Sequence, residues 1–353
     1  MPIDSIQDLR EHIELAIKVE LTTIPPYLYA MYSIEDQSSE SALLIRSIVA
    51  EEMLHAALAA NLLLAVGGRP DFTATSYIPR YPSDVPHHRP PLRVDLAPCS
   101  LDLVKDLFMR IEQPEIHGAP DQPDEFETLG QFYHALENGF RKLNKSGELF
   151  ANTQEDCQLS DPSFYAPVAF DAEDSGGLML VNDVETAIEA IEIIVHQGEG
   201  LSDERWADPA HQELTHFYKL LRIYEGDSPL GAIIPMPTNP TTSSYPEAVR
   251  PVSDLFNAAY RYVYWVLDAL YGPDRDKASL VGDLYALMAN IMSRVAHYLT
   301  TLPIGDGQYA GPTFEAYEFT GPDPLAELAE LATRAAASHP DLSPVADWLG
   351  ARA

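Results

Sequence analysis

The chain is short of several things, and each shortage removes a class of function. It has two cysteines in 353 residues, Cys99 and Cys157, with no Cys-x-x-Cys spacing and no close histidine partner. A disulfide framework, a zinc finger and a thiolate cluster are therefore poorly supported, and the two thiols read as ordinary residues of a reducing compartment. Basic residues are scarce as well: 22 Lys and Arg stand against 54 Asp and Glu, for a formal net charge of −32. Such a field repels nucleic acid and anionic lipid, so neither is expected as a partner. Long apolar runs are missing too. The most apolar stretch, AALAANLLLAVGG, is too short to span a bilayer and ends on paired glycines. The opening segment, MPIDSIQDLREHIELAI, is acidic and starts an amphipathic helix, so it does not read as a signal peptide. The expectation is a cytoplasmic protein that does not enter membranes.

Strand-like alternation is also scarce, and helical periodicity dominates in its place. Asp4 or Ser5 can cap a first helix whose apolar positions Ile6, Leu9, Ile13, Ile17 and Leu21 recur at steps of three and four. It runs into TTIPPYLYAMYSI, where Pro25 and Pro26 lack backbone donors and predict a kink. Residues 41–66 predict a second helix, stopped by Gly67 and Gly68, and the Pro-rich stretch 69–98 predicts an extended excursion. Two further helices are expected over 101–112 and 128–143, then irregular chain over 144–181. Helices should restart after Asn182 or Asp183 and at Pro209. A connector over 226–251 leads to long helices near 253–271 and 277–302, and a last one near 323–337 closes the chain. The predicted fold class is all-α. A bundle occupies 1–225 with insertions at 69–98 and 144–181, and additional helices over 226–353 pack on it.

Glu-x-x-His occurs twice, as Glu52-Met53-Leu54-His55 and Glu213-Leu214-Thr215-His216. A chain of this composition holds about one such match by chance, so the pattern alone is weak. Its context is stronger. Positions i and i+3 share a helix face, so one carboxylate and one imidazole can reach the same ion. Each pair also follows a helix with a glutamate in its apolar stripe. Glu20 aligns with Ile13, Ile17 and Ile24 before the first pair; Glu199, with Glu192 and His196 on nearly the same face, precedes the second. A Glu from each of two helices and a Glu-x-x-His from each of two others is the ligand set of ferritin-like di-metal carboxylate bundles. Two divalent ions would make the buried carboxylates tolerable. Mixed oxygen and nitrogen donors suit Fe, Mn or Zn.

The neighbours of these residues read more plainly. Glu51 points about a third of a turn from Glu52 and reads as a surface or supporting residue. Glu112 and Glu115, in RIEQPEIHG, look like a helix end with no ligand partner. His87 and His88 read as exposed, Tyr27 as packing two turns beyond Glu20, and Met288, Met292 and the tyrosines at 260, 262, 264 and 271 as core. Whether His196 or Glu192 adds a ligand is open on spacing alone.

The segments EHIELAIKVELTTIPPYLYAMYSI, AEEMLHAALAANLLLAVGGRP, RIEQPE, LGQFYHALENGF and IVHQGEGL carry a further signal. Together they resemble a ferritin-like family related to the N-terminal part of the iminophenylpyruvate dimer synthases of bisindole (violacein and rebeccamycin type) biosynthesis. The resemblance covers most of the chain, including LTTLPIGDGQYAGPTFE. It implies a non-haem di-metal site carried by Glu20, Glu52, His55, Glu199, Glu213 and His216. It also marks a departure: relatives are expected to carry Glu where this chain has His196, which trades a carboxylate for an imidazole. The dimer synthases are longer and act on an oxidised tryptophan imine, so their substrate is not carried over. The expected activity is oxidation of a small organic substrate by dioxygen or peroxide at two divalent ions, iron before Mn or Zn. Metal storage without turnover is the competing reading. A small-molecule substrate and a homodimer are the expected partners.

Overall fold

The computed structural model describes residues 3–114, 122, 124–165, 176–198 and 215–353. Helix α1, Ile6–Ser33, starts at Ser5, whose hydroxyl accepts from the Asp8 N–H while the Asp8 carboxylate accepts from the Ser5 N–H. This reciprocal box satisfies donors that the first turn would leave unpaired. Pro25 and Pro26 both lie inside α1, yet the helix continues to Ser33. A proline at 26 leaves the Thr22 carbonyl without its usual N–H. The Tyr81 hydroxyl fills that gap, donating to Thr22 O at 2.7 Å from the Pro-rich excursion. Tyr81→Phe should therefore leave a buried carbonyl short of a partner and cost about 1–2 kcal/mol. An unchanged denaturant midpoint for that variant would mean that α1 tolerates its prolines some other way.

Helix α2, Glu40–Ala65, packs along α1 and is buried on nearly every face. Among the described residues it is the one helix long and apolar enough to cross a membrane by length and composition. Within its most apolar window, 89% of the residues are buried in the fold. It serves as the central helix of the bundle. Gly67 ends it at φ +70°, a backbone that favours glycine, and Arg10 donates to the Val66 carbonyl.

Helix α3, residues 101–111, contains a π-helical turn at Val104–Phe108, which the periodicity did not predict. Helix α4, Leu129–Leu143, has a capping box at Thr128 and Gln131, and α5 spans Val184–Gly198. Helix α6, His216–Glu225, starts at the histidine itself. Whether Pro209 opens it lies outside the described residues, as do Glu115, Glu199 and Glu213.

The C-terminal part adds α7, Arg250–Leu270, and α8, residues 277–299, close to the two long helices expected near 253–271 and 277–302. A second π-helical turn, Leu287–Met292, interrupts α8. Helix α9, Pro324–Ser338, is not the last: α10, Ser343–Gly350, packs against it. The excursion 69–98 holds a short 3-10 turn at Thr75–Tyr77 and a two-residue ladder of β1, Ser83–Asp84, with β2, Arg93–Val94. A second small hairpin pairs β3, Pro303–Gly305, with β4, Gln308–Tyr309. The fold is all-α, as expected.

His88 is buried rather than exposed; its Nδ1 lies 2.7 Å from Pro90 O and its ring packs on Phe126. Both cysteines are free and buried, and burial pushes the Cys99 thiol up to about 12. A thiol held protonated in this way is a packing group.

Candidate metal centre

The bundle brings three predicted residues to one point from α1 and α2, and a fourth from the start of α6. Glu20, Glu52 and His55 form one group of ligand atoms within 4.8 Å of one another. Glu52, Glu112 and His216 form a second group under the same limit, and Glu52 belongs to both. All five side chains are buried. The His55 and His216 rings stack with centroids 5.3 Å apart.

The orientation of each donor is set from behind. Tyr133, on α4, donates to Glu20 Oε1, leaving Glu20 Oε2 facing His55 Nδ1 at 3.5 Å. Thr23, on α1, donates to Glu52 Oε2. That turns Glu52 Oε1 toward both imidazoles, 3.7 Å from His55 Nδ1 and 3.0 Å from His216 Nδ1. Tyr27 donates to Glu112 Oε1, and Glu112 Oε2 lies 3.3 Å from His216 Nδ1. Each carboxylate thus has one oxygen held by a hydroxyl and the other turned inward.

The imidazoles follow the same rule. His55 Nε2 donates to Gln197 Oε1 on α5 at 2.9 Å, which leaves Nδ1 pointing at the carboxylates. His216 Nε2 is 2.8 Å from Glu51 Oε2, within ion-pair reach but poorly aligned for a hydrogen bond. Glu51 in turn takes both carboxylate oxygens to the buried Lys219 ammonium, at 2.7 and 2.6 Å. Outer partners of this kind fix tautomer and ring direction in metal sites.

Electrostatics show what the cluster is short of. Burial, then the charges of Glu112 and Glu20, push the Glu52 carboxyl up to about 7. Burial alone would lower His216, but Glu112, Glu51 and Glu52 hold it well above its ordinary range. Burial also opposes charge on His55, and Glu20 with Glu52 overcomes it and raises the group. Protons on these groups supply positive charge that the carboxylates require, and a divalent cation would displace them. By contrast, Lys219 and His216 outweigh burial at Glu51 and hold it at about 2. Glu51 is already neutralised and is not short of a cation.

The Glu and His side chains are arranged to bind a metal ion. The inward oxygens border a gap of about 10 Å³, walled by Ile194, Val195 and Gly198 of α5 and by Leu129 and Gly130 of α4. Among the described residues His196 stands outside both groups and is half-buried, while Glu192 is exposed. The neighbour Gln197 is the one that meets His55. Two residues read otherwise from the sequence belong here, and Glu51 takes the supporting one of its two readings. Glu112 is an inward carboxylate rather than an unpartnered helix end, Tyr27 orients it beyond simple packing, and Glu51 is a buried support. For Glu112 the one sequence signal was its place in RIEQPE.

Comparisons with known proteins agree with this architecture. The family model described as Ferritin-like matches residues 13–225. Dichlorochromopyrrolate synthase of Lentzea aerocolonigenes is 23% identical over an alignment of 415 positions. That alignment covers 94% of this chain but only 38% of the synthase. A crystal structure of a ferritin-like protein from Caulobacter vibrioides superposes with a TM-score of 0.60 at 24% identity, covering 83% of this chain and 97% of that one. With more than half its length matched, and its donors converging within the matched span, the chain belongs to the ferritin-like family.

Proposed function

We propose that the protein is a non-haem di-metal oxidoreductase. In this reading it holds two divalent transition-metal ions, iron ahead of Mn or Zn, and oxidises a small organic molecule with dioxygen or peroxide. The observation that carries the reading is the shared carboxylate: Glu52 Oε1 faces the Nδ1 atoms of both His55 and His216. Glu20 and His55 would hold one ion with Glu52, and Glu112 and His216 the other. Glu199 and Glu213 are proposed to complete the set on sequence grounds, with His196 a further candidate. The similarity to a protein named as a synthase favours an enzyme over a store.

A bound ion pair would supply Lewis acidity and redox equivalents to the oxidant. The chain's own residues do the rest. Thr23, Tyr27 and Tyr133 hold the outer carboxylate oxygens, so the inner ones are presented without rearrangement. Gln197 and Glu51 hold the imidazoles with Nδ1 inward. Burial and Glu112 keep the Tyr27 phenol protonated and donating. Ile194, Val195 and Leu129 keep bulk water from the inward atoms.

Anaerobic titration of the metal-free protein with Fe(II) should saturate at two ions per chain, and oxygen should then produce a stoichiometric di-ferric absorption band. Saturation at one ion, or binding confined to solvent-exposed carboxylates, would overturn the reading. A large hollow assembly by size-exclusion chromatography would favour storage, and a monomer or homodimer the enzyme.

A further inference from the structure

A second void, much larger than the gap at the metal centre, lies between α1–α2 and α7–α8. It measures about 430 Å³ and shares no lining residue with the metal centre. Leu21, Ile24 and Leu28 of α1 and Val49, Ala50 and Met53 of α2 form one wall. Tyr260, Tyr264 and Leu267 of α7 face them, and α8 contributes Met288, Ala289 and Met292. Between Arg46 and Ala57 the trough follows α2 over eleven residue steps, about 16 Å at the helical rise.

Three features make this more than a packing fault. The rings line it while several of their hydroxyls are engaged elsewhere. Tyr260 and Tyr264 bond to each other at 2.9 Å, and Tyr285 donates to Phe164 O. Four of the chain's eight methionines, at 31, 53, 288 and 292, border it, and methionine adapts its shape to a guest. The π-helical turn of α8 forms part of the wall, and such turns recur at functional sites.

The ends of the trough differ. Arg46 is exposed at one end, where it makes a long 3.4 Å hydrogen bond to Gln37 O and its charge reaches Tyr32 and His297. No carboxylate among the described residues pairs with it, in a chain where acids outnumber bases 54 to 22. A guanidinium of this kind suits a carboxylate that arrives with a ligand. The exposed Tyr285 and Ala289 leave the trough open to entry.

The geometry points to a binding site for an elongated organic acid, with its apolar body along α2 and its single anionic head at Arg46. The trough shares no lining residue with the metal centre, so it is tested on the metal-free 353-residue chain, where failure bears on the trough alone. Isothermal titration with dodecanoate and with dodecanol, both below their aggregation limits, separates the head from the body. Dodecanoate should bind at one per chain and dodecanol more weakly. Arg46→Met should weaken dodecanoate about tenfold and leave dodecanol unchanged. Ala50→Phe should weaken both by filling the trough; if circular dichroism shows that variant misfolded, Ala289→Trp at the mouth takes its place. The proposal is overturned by no saturable binding of either probe, by an equal effect of Arg46→Met on both, or by a filling variant that changes neither.

Discussion

On the proposed two-ion reading, replacing Glu52 by glutamine should abolish binding of both ions at once, with each affinity falling more than about 100-fold. Glu52 is common to both groups of donors, whereas Glu20 and Glu112 each belong to one. Loss of a supporting contact alone costs about 10–100-fold, so loss of a shared ligand should exceed that. Glu20→Gln should be milder, weakening mainly the ion beside His55. The same Glu52 variant should behave in the opposite sense without metal. In the folded chain the Glu52 carboxyl is raised from its ordinary 4.5 to about 7. Between those values the unfolded state has lost its proton while the folded state keeps it, so stability falls as pH rises through that window and stays lower above it. An amide escapes this penalty. Metal-free Glu52→Gln should therefore be more stable than the parent at pH 8, by on the order of 2 kcal/mol, and its stability should be flatter between pH 4.5 and 7. Inductively coupled plasma analysis and urea unfolding read the two effects. Two ions retained per chain would end the shared-ligand assignment, and a less stable metal-free variant would end the electrostatic one.

Much of this centre was legible because its residues obey local periodicity. Glu52 and His55 share a face of a regular helix, and Glu20 interrupts the apolar stripe of another. Glu112 was not legible, and the reason is geometric. Glu112 caps the end of α3 just beyond the π-helical turn at Val104–Phe108, and both of its partners lie on other helices. Tyr27 then meets that carboxylate from α1, 85 residues away in sequence. Glu51 takes the supporting one of its two readings and not the surface one. It does point away from Glu52, but that direction leads to Lys219 on α6 rather than to solvent. The helix of α1 continues past the two prolines from which a kink is expected, and Tyr81, from the excursion, supplies the donor that Pro26 lacks. In each case a local rule was overridden by a partner distant in the chain, and single-sequence periodicity contains no record of such partners. His88 shows the same limit in a loop with no period to read.

Lys219→Met should be the most destabilising single change near the centre, by about 3–5 kcal/mol, because it leaves a buried carboxylate without its cation. The Lys219 side chain is fully buried and spans both oxygens of Glu51. Its partner is held at about 2, below its ordinary 4.5. The stabilisation is therefore complete above pH 4.5 and is lost as pH falls toward 2, and the variant should lack that part of the acid limb. A hydrophobic pair can often replace a buried ion pair without loss, so Glu51→Leu/Lys219→Met should recover most of the stability. Metal affinity should not recover with it. Glu51 is what stands behind His216 Nε2, and without it the ring is free to turn its Nδ1 away from Glu52 and Glu112. The double variant should therefore fold well yet bind the ion beside His216 about 10–100-fold more weakly. Wild-type affinity in a stable double variant would show that the Lys219–Glu51 pair only fills space. Weakened affinity there would show that the chain spends a buried ion pair on aiming one imidazole.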